Sequence, residues 1–234
     1  MSETLENISG IKFLPLFPLA IVLLPFEPLP LHIFEPRYRQ MIRDAQLDNN
    51  LFGLSYFDSE ISGSALPEIG SIGCAAEIRN VQMMDDGRSN ILTVGTVRYR
   101  IEDYAETGET YSVAEVSFFE DDAEDQSALQ PLADEVFALY IRIAAAAHEL
   151  SGERGRFPTI PQAEPQQLSF LVAASFNLQP EFKYEFLKMR LTSARLERLR
   201  EMLRQIVVQL EENATLKKIS RTNGHSKKKI NLDL

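Results

Sequence analysis

Side chains that do chemistry are scarce in this chain. Of its 234 residues one is a cysteine, Cys74, and three are histidines, at 32, 148 and 225. A single thiol excludes an internal disulfide and fits a reducing compartment, so a cytoplasmic location is expected. Cys74 itself reads as a small buried hydrophobe on a strand. Four potential ligands so widely scattered have no metal-ligand spacing, and no metal or other cofactor is expected. No GxxxxGK[ST] loop occurs, so nothing cradles a nucleotide with backbone N–H groups and a reaching lysine. Lys217 and Ser220 are neighbours, but on a basic tail that is expected to be flexible and cannot hold nucleophile and base in register. Long apolar runs are missing too. Between Pro18 and Pro25 the longest proline-free piece is Leu19–Leu24, against the roughly 20 residues a membrane span needs. The first residues, Met-Ser-Glu-Thr-Leu-Glu, are acidic where a secretory signal has a basic region. No internal repeat is found.

What is present is an acidic, apolar-rich chain. Hydrophobic residues make up 44%, ample for a core, and the net charge is −10. Residues 215–234 hold Lys217, Lys218, Arg221, Lys227, Lys228 and Lys229 against Asp233 alone, a net +5 that leaves −15 for the rest. An acidic body disfavours the phosphate contacts of nucleic-acid binding.

Two halves are visible. Residues 12–120 punctuate short apolar runs with Gly, Pro, Asp and Asn, which predicts strands near 13–24, 51–57, 72–84, 90–104 and 111–119. Asp85-Asp86-Gly87 marks a turn between two of them. Along 90–104 the apolar alternation slips by one at Gly95, which predicts a β-bulge. One helix interrupts the strands near 36–47, with Tyr38, Met41, Ile42 and Ala45 on a single face and Pro36 in the first turn. Residues 120–125 hold five carboxylates and read as a solvated linker. Beyond it, 127–213 reads as helical: Leu129, Leu132, Val136, Leu139, Ile143 and Ala147 mark one long face, 151–165 must be loop, and further helices fit 166–177, 180–190 and 193–213. In the last, Leu196, Leu199, Leu203, Ile206 and Leu210 recur at spacings of 3 and 4. The run is short for a coiled coil, so packing on the chain's own helices is expected, and a monomer. Residues 214–234 form the basic tail. The fold class is α+β: a bent antiparallel sheet or pseudo-barrel with one early helix, then a C-terminal helical bundle.

Residues 14–42 hold six of the twelve prolines and then switch to a charged helix former. Leu14-Pro15-Leu16-Phe17-Pro18-Leu19 and Pro30-Leu31-His32-Ile33-Phe34-Glu35-Pro36-Arg37-Tyr38-Arg39 resemble the opening of the Lon N-terminal domain, the substrate-recognition domain of the ATP-dependent protease Lon. Phe52-Gly53-Leu54, Gly70-Ser71-Ile72-Gly73-Cys74, Gly95-Thr96-Val97-Arg98-Tyr99-Arg100 and Gln167-Leu168-Ser169-Phe170 continue it, over roughly residues 12–212. The resemblance implies a PUA-like sheet half and a recognition domain without the ATPase and peptidase, hence no enzyme. It implies unfolded or extended polypeptide as the ligand, with a protease or chaperone as a further partner.

Candidate binding residues are the aromatics of the two halves. Tyr56 and Phe57, and Phe118 and Phe119, are adjacent on strands, so one of each pair faces outward or both faces are covered; Phe176 lies on a helix. An outward set beside the helical half would make an apolar groove for extended chain. Pro30, His32, Phe34, Glu35, Pro36, Arg37 and Tyr38 read as a structural motif, although His32 with Glu35 is the one place an acid/base pair would fit. Two alternatives stay open: a small-molecule or RNA-binding PUA-like module, and a hydrolase using the His32–Glu35 region.

Overall fold

The computed structural model describes residues 8, 10–58, 64, 66–151 and 160–223, with backbone alone for 149–151 and 211–223. In chain order the elements are β1 (Phe13–Leu19), β2 (Pro28–Ile33), α1 (Pro36–Leu47), β3 (Leu51–Tyr56), β4 (Ile72–Met83), β5 (Ser89–Ala105) and β6 (Val113–Phe119). The helices α2 (Gln126–Ser151), α3 (Pro165–Ala174), α4 (Pro180–Lys188) and α5 (Thr192–Asn223) follow. The fold is α+β.

The strands run in the order β2-β5-β4-β3-β1-β6, and β6 pairs back onto β5. Five strands therefore close into a ring, with β2 attached outside. Strand β5 makes closure possible. Its 17 residues pair with β2 through Ser89–Val94, with β4 along most of their length, and with β6 from Arg98 onward. The bend falls at a bulge: Cys74 pairs with Arg98 but Ala76 with Gly95, so β5 carries one extra residue. This is where the sequence alternation slips.

Strands β1 and β3 and the first half of β4 are covered on both faces and read as near-continuous apolar runs, whereas β6 and much of β5 alternate buried with exposed residues. Leu14, Leu16, Leu51, Ala75, Val97, Tyr99, Ile101, Ala114 and Val116 fill the inside. Their neighbours of opposite parity, Phe17, Phe52, Leu54, Cys74 and Ala76, face α1 and the helices in one continuous core. Tyr99 plugs the ring: it is fully buried and its hydroxyl lies 2.7 Å from Ser55 Oγ. Gly53 and Gly73 make room for it. A Cβ on Gly53 would stand 2.6 Å from the Tyr99 hydroxyl, and one on Gly73 closer still.

Two expectations are corrected. The sheet is mixed, because β1 and β3 are parallel neighbours. Strand β2 and helix α1 lie between them in the chain, and that long crossover returns the chain in the same direction. Residues 13–24 are also not one strand. β1 ends at Leu19, and a turn in which the Glu27 N–H donates to the Leu24 carbonyl (3.2 Å) redirects the chain into β2. The Gly95 N–H donates to the Glu27 carbonyl (3.0 Å), so strand alternation turns Pro28 and Pro30 away from β5. Their missing N–H groups blunt the outer edge of β2 against further pairing.

Helix α1 buries Tyr38, Met41, Ile42 and Ala45. Helices α2 and α5 start at the same end, as the Glu124–Ser193 bond and the pairs of Glu135 with Arg200 and Arg204 show, and run side by side, α2 burying Leu129, Ala133, Val136, Tyr140 and Ile143, and α5 burying Leu196, Leu199, Leu203 and Val207. Leu132, Leu139, Ile206 and Leu210 are half-buried beside them. The loop expected at 151–165 falls mostly outside the described residues, as does the tail beyond Asn223; the backbone of 214–223 continues α5. Among the described residues no helix is long and apolar enough to cross a membrane.

Two substitutions test this packing. Leu203→Ala is expected to cost about 2–5 kcal/mol by leaving a cavity. Gly73→Ala is expected to cost about 1–3 kcal/mol or more by overpacking against Tyr99. Combining it with Tyr99→Leu should cost less than the two single changes together, as read by urea denaturation. Additive costs would show that Gly73 and Tyr99 are not coupled.

Candidate functional site

Within the acidic run 120–125, expected to be a solvated linker, Asp122, Ala123 and Asp125 are exposed, but the Asp121 side chain is a buried joint between the sheet and the helices. The Asp121 side chain is 5% exposed and lies between two guanidiniums, Arg98 of β5 and Arg195 of α5. Arg98 donates to Asp121 Oδ1 (2.5 Å) and to the carbonyls of Leu187 (3.2 Å) and Met189 (2.6 Å). Arg195 donates to both Asp121 oxygens, to the Met189 carbonyl and to Ser169 Oγ (2.7 Å). Thr192 Oγ1 adds a hydrogen bond to Asp121. The neighbouring carboxylates act too. Asp122 pairs with Arg190, Glu124 accepts the Ser193 N–H at the start of α5, and Asp125 accepts the Ser127 N–H at the start of α2. Each of the last two satisfies an N–H group that a helix start leaves unpaired. Sequence reading treated the carboxylates as a charge run, because the partners of Asp121, Asp122 and Glu124 lie 23 or more residues away.

Aromatic rings sandwich the buried cations. Arg98 lies 4.7 Å from the Phe119 ring centre and 5.4 Å from that of Phe170, and Arg195 lies 3.8 Å from Phe170. Burial draws the Arg98 guanidinium below its usual pKa, with Asp121 opposing. Above this joint opens a cavity of about 230 Å³ lined by Pro25, Phe26, Phe119 and Phe170, with Glu120 and Glu164 among its polar residues. Phe26 stands between it and a second cavity of about 420 Å³ bordered by Ile11, Leu51 and Val94. Phe26 has φ +67°, a left-handed backbone that costs a non-glycine residue roughly 1–2 kcal/mol, and it is 38% exposed. Its turn is tied down on every side. The Phe26 N–H donates to the Gly95 carbonyl (2.7 Å), Glu27 Oε2 accepts the Leu24 N–H (2.9 Å), and Lys183 of α4 pairs with Glu27 at 2.5 Å. A Cβ on Gly95 would collide with the Leu24 carbonyl.

A second groove lies where β3 meets α4, a cavity of about 330 Å³ lined by Tyr56, Phe57, Pro67 and Tyr184. Tyr56 donates to Glu181 (2.7 Å) and its ring lies 5.5 Å from that of Tyr184. That hydrogen bond, more than burial, pushes the Tyr56 phenol up to about 12 and holds the Glu181 carboxyl below its usual value. Phe57 and Asp58 also border a cavity of about 560 Å³ beside Arg37, Tyr38 and Tyr111.

The aromatics singled out from sequence thus fall in different places. Tyr56 and Phe57 share the β3–α4 groove, and Phe119 lines the groove over the joint. Phe118 is half-buried against the inside of the ring, and Phe176 packs edge-on against Tyr140 among the helices. Phe26, Phe170 and Tyr184 were missed; the one available signal was Phe26, an aromatic between two prolines. In the motif at 30–38, Ile33 is buried and His32 is exposed, its Nδ1 2.7 Å from Asn90 Oδ1 on the facing residue of β5. Phe34 stacks on His32, Glu35 pairs with Arg37 at 2.8 Å, Pro36 opens α1, and Tyr38 packs on Phe17. Pro30 sits on the open edge.

The family model of the ATP-dependent protease La (LON) substrate-binding domain matches residues 13–205. A Lon protease of Desulforamulus reducens is 24% identical over 193 residues, which are 82% of this chain and 24% of that protein. The chain spans about a quarter of the length of the curated relatives it matches. Two solved structures share the fold. The Lon N-terminal domain protein from Xanthomonas campestris has a TM-score of 0.58 at 24% identity, covering 81% of this chain and 97% of that one. The N-terminal domain of Mycobacterium avium complex Lon protease has a TM-score of 0.61 at 18% identity, covering 82% and 98%.

The joint separates buried from exposed charge. Asp121→Asn, which leaves two buried guanidiniums without a counter-charge, is expected to cost about 3–5 kcal/mol. Asp122→Asn, in a half-exposed pair, is expected to cost at most about 1 kcal/mol. Chemical denaturation of both variants checks the contrast, and equal costs would refute it. At high pH, unfolded tyrosine ionises near 10 whereas Tyr56, by its bond to Glu181, and Tyr104, by burial, keep their protons to about 12. Their contribution is complete below pH 10 and is lost as pH rises towards 12. Phenolate absorbance should therefore lag that of model tyrosine until the chain unfolds.

Proposed function

The chain belongs to the ATP-dependent protease La (Lon) substrate-binding domain family, and on that premise we propose that it captures extended or unfolded polypeptide between the barrel and a C-terminal helical bundle. The observation that carries this reading is the set of aromatic side chains at the barrel–helix junction: Phe26 and Phe119 over the Asp121 joint, with buried Phe170 as the floor beneath them, and Tyr56, Phe57 and Tyr184 at β3 and α4. These surfaces offer apolar contact to side chains that a folded client hides. The role that fits is recognition, as an adaptor or regulator of proteolysis, with a protease or chaperone acting on what is held.

The affinity can be bounded. Burying three or four apolar side chains yields roughly 5–10 kcal/mol. Association and ordering of a floppy segment cost at least about 4 kcal/mol. A dissociation constant of roughly 10 µM to 1 mM follows.

An NMR titration with an unfolded client, and with the same client natively folded, tests the proposal. The unfolded client is expected to shift amides lining the two junction grooves, with affinity that changes little between low and moderate salt. Equal shifts from both clients, or none at millimolar concentration, would overturn it. Binding that falls steeply with salt would favour the nucleic-acid reading instead.

A further inference from the structure

We propose that Phe26 is the anchor of the groove over the Asp121 joint, and that the segment held there carries an apolar side chain next to a lysine or arginine. The inference rests on the polypeptide-binding reading and assigns it a residue and a sequence preference. A large aromatic in a left-handed backbone is strained. Here the strain is held by four separate contacts: the bond to the Gly95 carbonyl, the Glu27–Leu24 turn, the bond from Gly95 to the Glu27 carbonyl, and the Lys183–Glu27 pair. A residue wanted only for the turn would be glycine or asparagine, which adopt this conformation at little cost. The turn instead projects a ring that is 38% exposed, between two cavities. A rigid aromatic of this kind offers contact area at low entropic cost and leaves a client a cavity on either side.

The charge preference follows from the lining. Glu120 and Glu164 border the cavity; the one cation among its described lining residues, Arg98, is 2% exposed and committed to Asp121 and two backbone carbonyls, and Arg190, beside the Phe119 ring, is paired with Asp122. In the second cavity Arg79 is paired with Glu77 at 2.8 Å. Glu164, exposed at the start of α3, then sets the sign of the rim. A cationic side chain beside the anchored apolar group meets attraction, and an anionic one repulsion.

The full chain is titrated with two fluorescent twelve-residue unstructured peptides, one with a phenylalanine flanked by lysines and one flanked by glutamates. The lysine peptide is expected to bind several-fold more tightly at low salt, shifting amides at 24–27, 95–97, 119–120 and 164–170. Glu164→Gln is expected to narrow the difference between the peptides. Phe26→Gly and Phe26→Asn, both suited to the left-handed backbone, are expected to keep the native amide spectrum and to weaken the lysine peptide by about tenfold or more. Binding by these variants within twofold of the unsubstituted chain would overturn the anchor, and equal affinity for the two peptides would overturn the charge preference. Should the variants lose the native spectrum, the amide map of the unsubstituted chain decides. Shifts confined to the surroundings of Tyr56, Phe57 and Tyr184 would refute the Phe26 site while leaving polypeptide capture standing. No shift with either peptide would remove polypeptide capture itself.

Discussion

One carboxylate sets how the sheet and the helices, which share an apolar core, are joined. Asp121 sits between Arg98 of the barrel and Arg195 of the helices, and both guanidiniums are almost entirely out of water. Removing three charges from water is costly, and the attraction repays it only when every remaining donor is satisfied. Here Leu187, Met189, Ser169 and Thr192 take up the surplus donors and acceptors. The cluster therefore fixes geometry more than it adds stability. Strand β5, the segment after β6, helix α3, the end of α4 and the start of α5 must all be in place for it to form.

The groove inherits its shape from that cluster. Phe119 and Phe170 stack on the guanidiniums and so cannot turn into the cavity they line. Phe26 is held from the other side by the bulge in β5 and by the Glu27–Lys183 pair. The same bulge lets β5 bend far enough to pair with β6, so closing the ring and presenting Phe26 are consequences of one irregularity near Gly95. Inside the ring Tyr99 is packed against glycines where other side chains would not fit, which makes this wall stiff.

Identity to the solved relatives is 18% and 24%, so the likeness carries the fold and leaves the groove lining to this chain's own residues. Apolar contact suits unfolded client of varied sequence, because burial is not directional. On the proposed reading, the acidic rim would add a modest preference without making recognition depend on one partner.

Much of the fold was legible because it is written in local patterns. Helix α1 follows from Pro36 and the spacing of Tyr38, Met41, Ile42 and Ala45, and four strands, β3 to β6, from short apolar runs between turn residues. The bulge at Gly95 showed as a slip in alternation. By itself the sequence determined where these elements begin and end, which faces are apolar, and the resemblance at residues 14–39. Only the tertiary structure decided that β1 lies parallel to β3, that the ring closes on β5, and that the Asp121 side chain within 120–125 is a buried joint. A carboxylate looks the same in a linker as in a core, since its environment depends on Arg98 and Arg195, 23 and 74 residues away. The left-handed backbone of Phe26 was illegible for a similar reason: its turn is held by Gly95 and Lys183, which no local pattern brings to it.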